Sequence, residues 1–300
     1  MQPSHNTPVS ATILPYLLLM LAIIGLGFSP IFIKWADAPG TVTNFYRMSI
    51  GVVALAWPFI RRVQREGVPQ GPGVWIAILG GVLFAVELSA WAAGVLMSGA
   101  SNPTMLANTA PVWVGLGAVL IFKERLSGLF WLGLVLAISG AAVILGVEGI
   151  RSFQTGSNTL LGTSLGLVAA VLYGGYLLIT QWGRTYLDLI SYFWIATVSS
   201  MVTLLLFILI FGHPLTGYST MTYLNFFAFG LMAQVFGYLA INYALGHLPA
   251  SIVSPSLLGQ AVLTVIYANL FLGEALTIWQ VIGIMAVILG VLLVHRGRES

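Results

Sequence analysis

The chain has 300 residues, of which 59% are hydrophobic and only 6% charged. A water-soluble domain carries about 25% charged residues, so this chain cannot cover a globule in water, and lipid must solvate most of its surface. The lack of cysteine excludes disulfides and thiolate sites, and a net charge of +3 from scattered basic residues excludes a phosphate-tracking nucleic-acid surface.

About 20 apolar residues are needed to cross roughly 30 Å of hydrocarbon. Runs of that length, broken by charges and turn residues, predict an all-α integral membrane protein with ten transmembrane helices. They fall at about 13–36, 41–60, 74–97, 101–122, 128–147, 160–182, 190–211, 221–246, 250–272 and 277–295. Residues 1–12 hold no Lys or Arg, and the apolar run that follows is longer than a signal-peptide core of about 7–15 residues. The first segment is therefore expected to be a retained helix. Only Arg61–Gly73 and Glu148–Asn158 form longer polar connections, so no soluble domain is expected outside the membrane.

Basic residues favour cytoplasmic loops. With the N-terminus inside, Arg61, Arg62, Arg65, Lys123, Arg125, Arg184, Arg296 and Arg298 fall on the inner side. Lys34, Arg47 and Arg151 fall on the other. Both termini are therefore expected to be cytoplasmic, in a multi-pass inner (plasma) membrane protein.

Along the spans, a few residues interrupt the apolar pattern. Lys34 lies near the outer end of the first and Arg47 in the outer part of the second. Glu87 lies near the middle of the third, sharing a face with Trp91 and Gly94. An ionisable group at that depth is a functional-site hypothesis by default. Three roles stay open for it: part of a charged patch that holds a zwitterion, a carboxylate that carries a coupling proton, or half of a buried ion pair with Arg47 or Lys34. The fourth span carries a stripe of Ser101, Thr104, Asn108 and Pro111. The sixth carries Tyr173 and Tyr176, the eighth Gln234, Tyr238 and Asn242, and the ninth Ser251, Ser254, Gln260 and Asn269. Each small polar group is also explained by bonding between helices, and each deep aromatic by core packing. Pro30, Pro103, Pro111 and Pro255 remove helical hydrogen bonds and are candidate hinges.

An internal repeat links the two halves. Phe122-Lys123-Glu124-Arg125-Leu126, with Gly133 and Gly140, matches Leu272-Gly273-Glu274-Ala275-Leu276, with Gly283 and Gly290, at one offset (274 − 124 = 150). Ala100-Ser101 and Ala250-Ser251 keep the same register. The reading divides the chain into a first five-helix repeat, 1–149, and a second, 150–300. Five spans is an odd number, so the second half enters from the opposite side, as in inverted-repeat transporters with a midplane substrate site.

These features resemble the drug/metabolite transporter superfamily, specifically ten-helix exporters with two EamA-type repeats. The marks are the fourth helix with Pro111, the short loop with Glu124 or Glu274, and the Gly-x6-Gly helix that follows. Among members the chain is most similar to bacterial exporters of aromatic and other amino acids (the YddG kind). Ala261 stands where the first repeat has Pro111, so the two fourth helices need not bend alike. The resemblance implies a central cavity between the first, third and fourth helices of each half, with the fifth helices peripheral. Carried over, Glu87, Trp91, Asn108, Tyr173, Tyr176, Gln234, Tyr238, Asn242, Ser254 and Gln260 are the candidate substrate contacts.

No H-E-x-x-H, P-loop or G-x-S-x-G occurs, so neither an enzyme nor an ATP-driven pump is expected, and no cofactor. The expected partners are a small solute and the bilayer, with proton coupling left open. The expected activity is export of neutral or zwitterionic amino acids or similar metabolites by alternating access. The alternatives are a multidrug or other metabolite exporter of the same superfamily, or a non-transporting receptor or assembly protein. Few deep basic residues argue against doubly charged substrates such as sugar phosphates.

Overall fold

The computed structural model describes residues 13–98, 101–149, 157–272 and 277–299, and their regular structure is entirely helical. In chain order the elements are α1 (Ile13–Leu26), α2 (Ser29–Trp35), α3 (Gly40–Glu66), α4 (Pro72–Ser98), α5 (Ser101–Ala107), α6 (Ala110–Leu120), α7 (Gly128–Gly149) and α8 (Ser157–Gly183). There follow α9 (Leu189–Phe211), α10 (Thr220–Phe229), a π-helical stretch (Gly230–Tyr238), α11 (Leu239–Leu245), α12 (Ala250–Ser256), α13 (Gly259–Leu272) and α14 (Ile278–Glu299). Glu274, Arg151 and most of the 148–158 connection lie outside the described residues, as do the side chains of Pro30, Lys34 and Ser101.

Among the described residues, seven helical stretches are long and apolar enough to cross a membrane. The other three expected spans correspond to α1–α2, α3 and α5–α6. Breaks at Gly27-Phe28 and Asn108-Thr109 shorten two of them, and α3 combines a mid-helix Arg47 with an Arg-rich end. Large apolar side chains point outward, among them Val53 at 74% and Ile210 at 72% exposure. That surface suits lipid, which needs no polar covering; the backbone groups are satisfied within the helices. Charges gather at one end of the bundle instead, where Arg62 reaches Asp188 at 2.8 Å and Glu66 at 3.1 Å. Asp188 also caps α9 by accepting from the Ser191 N–H, and Gly212 ends that helix in the left-handed conformation at φ 66°.

Close helix packing rests on glycine. A Cβ on Gly133 would lie 2.6 Å from the Gly290 carbonyl oxygen, and one on Gly283 would lie 2.7 Å from that of Gly140. Position 133 facing 290 while 140 faces 283 makes α7 and α14 antiparallel. α4 packs against both α8 and α9. Ser199 and Ser200 of α9 donate to the carbonyls of Ile78 and Gly81, at 2.9 and 2.8 Å.

The fourth helices of the two halves are both broken. The α5/α6 break at 108–109 and the α12/α13 break at 257–258 fall at nearly equivalent positions. In the first, Pro111 follows the break and Thr109 Oγ1 donates back to the Leu106 carbonyl at 2.6 Å. In the second, Pro255 precedes the break, and the chain tightens into i→i−3 bonds such as Leu258 N–H to the Pro255 carbonyl at 3.1 Å. Either proline removes a helical hydrogen bond, so Pro111 has no need of a counterpart at Ala261.

Candidate functional site

A cavity of about 250 Å³ opens between the two halves. Its wall takes Leu26 and Ser29 from the first broken helix, Asn44 and Arg47 from α3, and Glu87 and Trp91 from α4. Thr104, Asn108 and Pro111 come from the α5–α6 region, Tyr173 from α8, and Ser254, Gln260 and Thr264 from α12–α13. Phe229 and Tyr238 flank the π-helical stretch and complete it.

Seven of the ten residues expected at a cavity are on this wall: Glu87, Trp91, Asn108, Tyr173, Tyr238, Ser254 and Gln260. Tyr176, Gln234 and Asn242 stand behind it. Asn242 Nδ2 donates to the Tyr176 hydroxyl at 3.1 Å and to the Tyr238 carbonyl at 2.9 Å. Tyr176 stacks on Phe84 at 4.5 Å between ring centroids. Asn242 and Tyr176 thus fix the aromatic wall, and Gln234 holds Arg47. Of the candidate hinges, Pro111 lines the cavity and Pro255 is buried at the end of α12. Pro103 is buried, and its ring lies 3.1 Å from where a Cβ on Gly94 would sit.

The wall departs from expectation on the second helix. Only first, third and fourth helices were expected to line the cavity, yet α3 supplies both Asn44 and Arg47, and α7 supplies Leu145. Asn44 and Arg47 are one helical turn apart, a spacing that could have flagged them together.

Arg47 and Glu87 are the only charged side chains fully buried among the described residues, at 4% and 9% exposure. They are not joined by a salt bridge among those residues. Arg47 instead donates from Nε to Gln234 Oε1 and from Nη1 to Asn44 Oδ1, both at 3.2 Å. Its guanidinium lies over Phe84, Phe229 and Tyr238, at 5.5, 5.2 and 4.8 Å from their centroids. Cation–π contacts of this kind stabilise a desolvated cation. Gln234 is anchored in turn, donating from Nε2 to Thr197 Oγ1 at 3.2 Å. Trp91 Nε1 donates to Thr104 Oγ1 at 3.0 Å, which fixes the indole against the cavity.

This arrangement separates two readings of Glu87. Removing one member of a true buried ion pair costs about 3–5 kcal/mol, because the other charge is stranded. Arg47 already has protein partners, so Glu87→Gln should melt within a few degrees of the wild type in detergent. A drop of the size an orphaned charge produces would show that the two residues pair after all.

Among the described residues no group of three or more His, Asp or Glu side chains is placed to hold a metal ion. What the site can do is surround a small solute with rings and offer it one cation and one anion.

Comparison with known proteins identifies a family. The EamA-like transporter family matches twice along the chain, over residues 13–146 and 160–296. An uncharacterized transporter of Clostridium kluyveri is 25% identical over 232 residues, covering 75% of this chain and 73% of its own. An uncharacterized transporter of Synechocystis sp. is 25% identical over 283 residues, covering 87% and 82%. A crystal structure at 16% identity superposes with a TM-score of 0.79 over 95% of this chain and 98% of its own, which shows the shared fold. The chain, a multi-pass membrane transporter for a small molecule, belongs to the EamA-like transporter family.

Proposed function

We propose that the protein is a secondary transporter that exports neutral or zwitterionic amino acids, aromatic ones among them, or closely similar metabolites, across the inner membrane by alternating access. In this reading ten spans form two inverted five-helix repeats around the cavity, and both termini are cytoplasmic. The glycine contacts support the inversion. Gly133 meets Gly290 and Gly140 meets Gly283, and at the 150-residue offset these two contacts are each other's images. Such exchange of i–j for j–i marks a two-fold axis, and between antiparallel helices that axis lies across them, in the membrane plane.

One observation carries the substrate class: the wall is largely apolar and aromatic, with a single buried cation and a single buried anion among the described residues, not joined to each other. A net-neutral solute with both charges fits such a wall. The cavity, at about 250 Å³, falls below the roughly 300–1,000 Å³ typical for drug-sized ligands, which favours a metabolite over a bulky drug.

The test is efflux of preloaded solutes from proteoliposomes. Amino acids with sizeable neutral side chains should leave fastest, and sugar phosphates slowest. Faster movement of a sugar phosphate or nucleotide sugar than of any amino acid would overturn the reading. Preference for a hydrophobic monocation would point to multidrug export instead.

A further inference from the structure

Arg47 lines the cavity with two of its three guanidinium nitrogens bound and the third without a partner. Nε and Nη1 are taken by Gln234 and Asn44, three rings surround the guanidinium, and Nη2 is buried with no hydrogen-bond partner. A buried charged donor without a partner is costly, and native structures rarely leave one. The two held nitrogens and the rings prevent Arg47 from turning to find another.

Glu87, on the neighbouring helix α4, is in the complementary condition. It lines the same cavity, is 9% exposed, and makes no hydrogen bond or salt bridge among the described residues. Neither α9 nor the helical stretch 220–245 of the second half carries any charged residue, so both charges come from the first half alone.

A simple anion in this cavity would satisfy Arg47 and be repelled by Glu87. A simple cation would meet the reverse. Only a ligand that brings both signs satisfies both side chains while remaining neutral overall. We propose that Arg47 receives the carboxylate and Glu87 the ammonium of an α-amino acid, whose side chain lies against Trp91, Tyr173 and Tyr238. This rests on the amino-acid export reading and adds to it the orientation and the groups that select. Arg47 and Glu87 thus set specificity for the zwitterion, while the rings tolerate a range of neutral side chains.

The experiment takes the amino acid that leaves wild-type proteoliposomes fastest and competes its flux with the analogue lacking each charge. For L-phenylalanine these are phenethylamine, without the carboxylate, and hydrocinnamate, without the ammonium. Each analogue should compete about tenfold or more weakly than the amino acid, as expected for losing a charge-assisted contact. Arg47→Gln should abolish discrimination against phenethylamine and preserve that against hydrocinnamate. Glu87→Gln should do the opposite, and Arg47→Lys should keep much of the wild-type preference. The wild-type comparison stands even where a variant fails to fold, which a thermal melt reports. Equal competition by either analogue in the wild type would overturn the assignment while leaving amino acid export intact. If no amino acid moves at all, the export reading falls, and the assignment with it.

Discussion

Gly140→Val should unfold or severely destabilise the protein, whereas Gly146→Ala, on the same helix, should not. A Cβ at position 140 would stand 2.6 Å from the Gly283 carbonyl oxygen and 2.7 Å from the Val287 amide nitrogen. Those are backbone atoms of α14, which cannot rotate away as a flexible side chain can. The helices would have to separate, and in lipid little hydrophobic force draws them back, because association rests on packing. Overpacking usually costs about 1–3 kcal/mol, and a backbone clash belongs at or above that upper end. For a chain of this size the melt should fall by roughly 10 °C or more. At Gly146 nothing lies within 4 Å of the added Cβ, so alanine there should be neutral or mildly favourable through helix propensity. Gly290→Val should match Gly140→Val, because a Cβ there meets Ala137 and the Gly133 carbonyl. Equal stability of Gly140→Val and Gly146→Ala would show that α7 and α14 do not meet at these glycines.

The same glycines illustrate what could be read before any coordinates. A Gly-x6-Gly spacing repeated at a fixed offset is visible in the sequence, because only glycine permits such approach and little else keeps it in register. Arg47 and Glu87 were legible for a related reason: a charge in an apolar run is rare enough to stand out. Their relation was not. The sequence shows that both are deep, but says nothing of the Gln234 and Asn44 side chains that occupy Arg47 and leave Glu87 to the cavity. Those partners are amides on apolar helices, and an amide that faces a cavity has the same one-letter signature as one that faces a neighbouring helix.

One backbone feature was hidden more deeply. The π-helical stretch Gly230–Tyr238 widens the turn that carries Gln234, and nothing in its composition distinguishes it from an α-helix. Such stretches are frequent at functional sites; here it helps to aim Gln234 at Arg47 while Tyr238 stays on the cavity wall. The α12/α13 break, by contrast, was legible, because Pro255 beside it stood out as a candidate hinge.

Replacing Glu124 and Gln181 with alanine should open the charged end of the bundle. The cavity wall is drawn from helix segments away from that end; none of its residues comes from the turns that carry Lys123 or Arg184. Two contacts at the N-terminus of α12 seal the end, one of them between the halves. Ser251 Oγ donates to Glu124 Oε2 at 2.6 Å, and the Ala250 N–H donates to Gln181 Oε1 at 2.6 Å. The first of these joins the first half to the N-terminus of α12, the helix whose break at 257–258 adjoins the cavity, and the second ties the same point to α8. A hydrogen bond to a charged group contributes about 1.5–3 kcal/mol and a neutral one about 1 kcal/mol. Losing both should therefore move a two-state equilibrium towards the open form by a factor of ten or more, at about 1.4 kcal/mol per decade. The chain has no cysteine, so a single Ser254→Cys provides a label site on the cavity wall without background. A membrane-impermeant maleimide applied from the charged face should react slowly with that single variant. With Glu124→Ala and Gln181→Ala added, reaction should be about tenfold faster or more, in protein that a thermal melt shows to be folded. Unchanged labelling in a folded protein would mean that these bonds hold α12 in place without gating the path, and that closure at this end lies with other contacts.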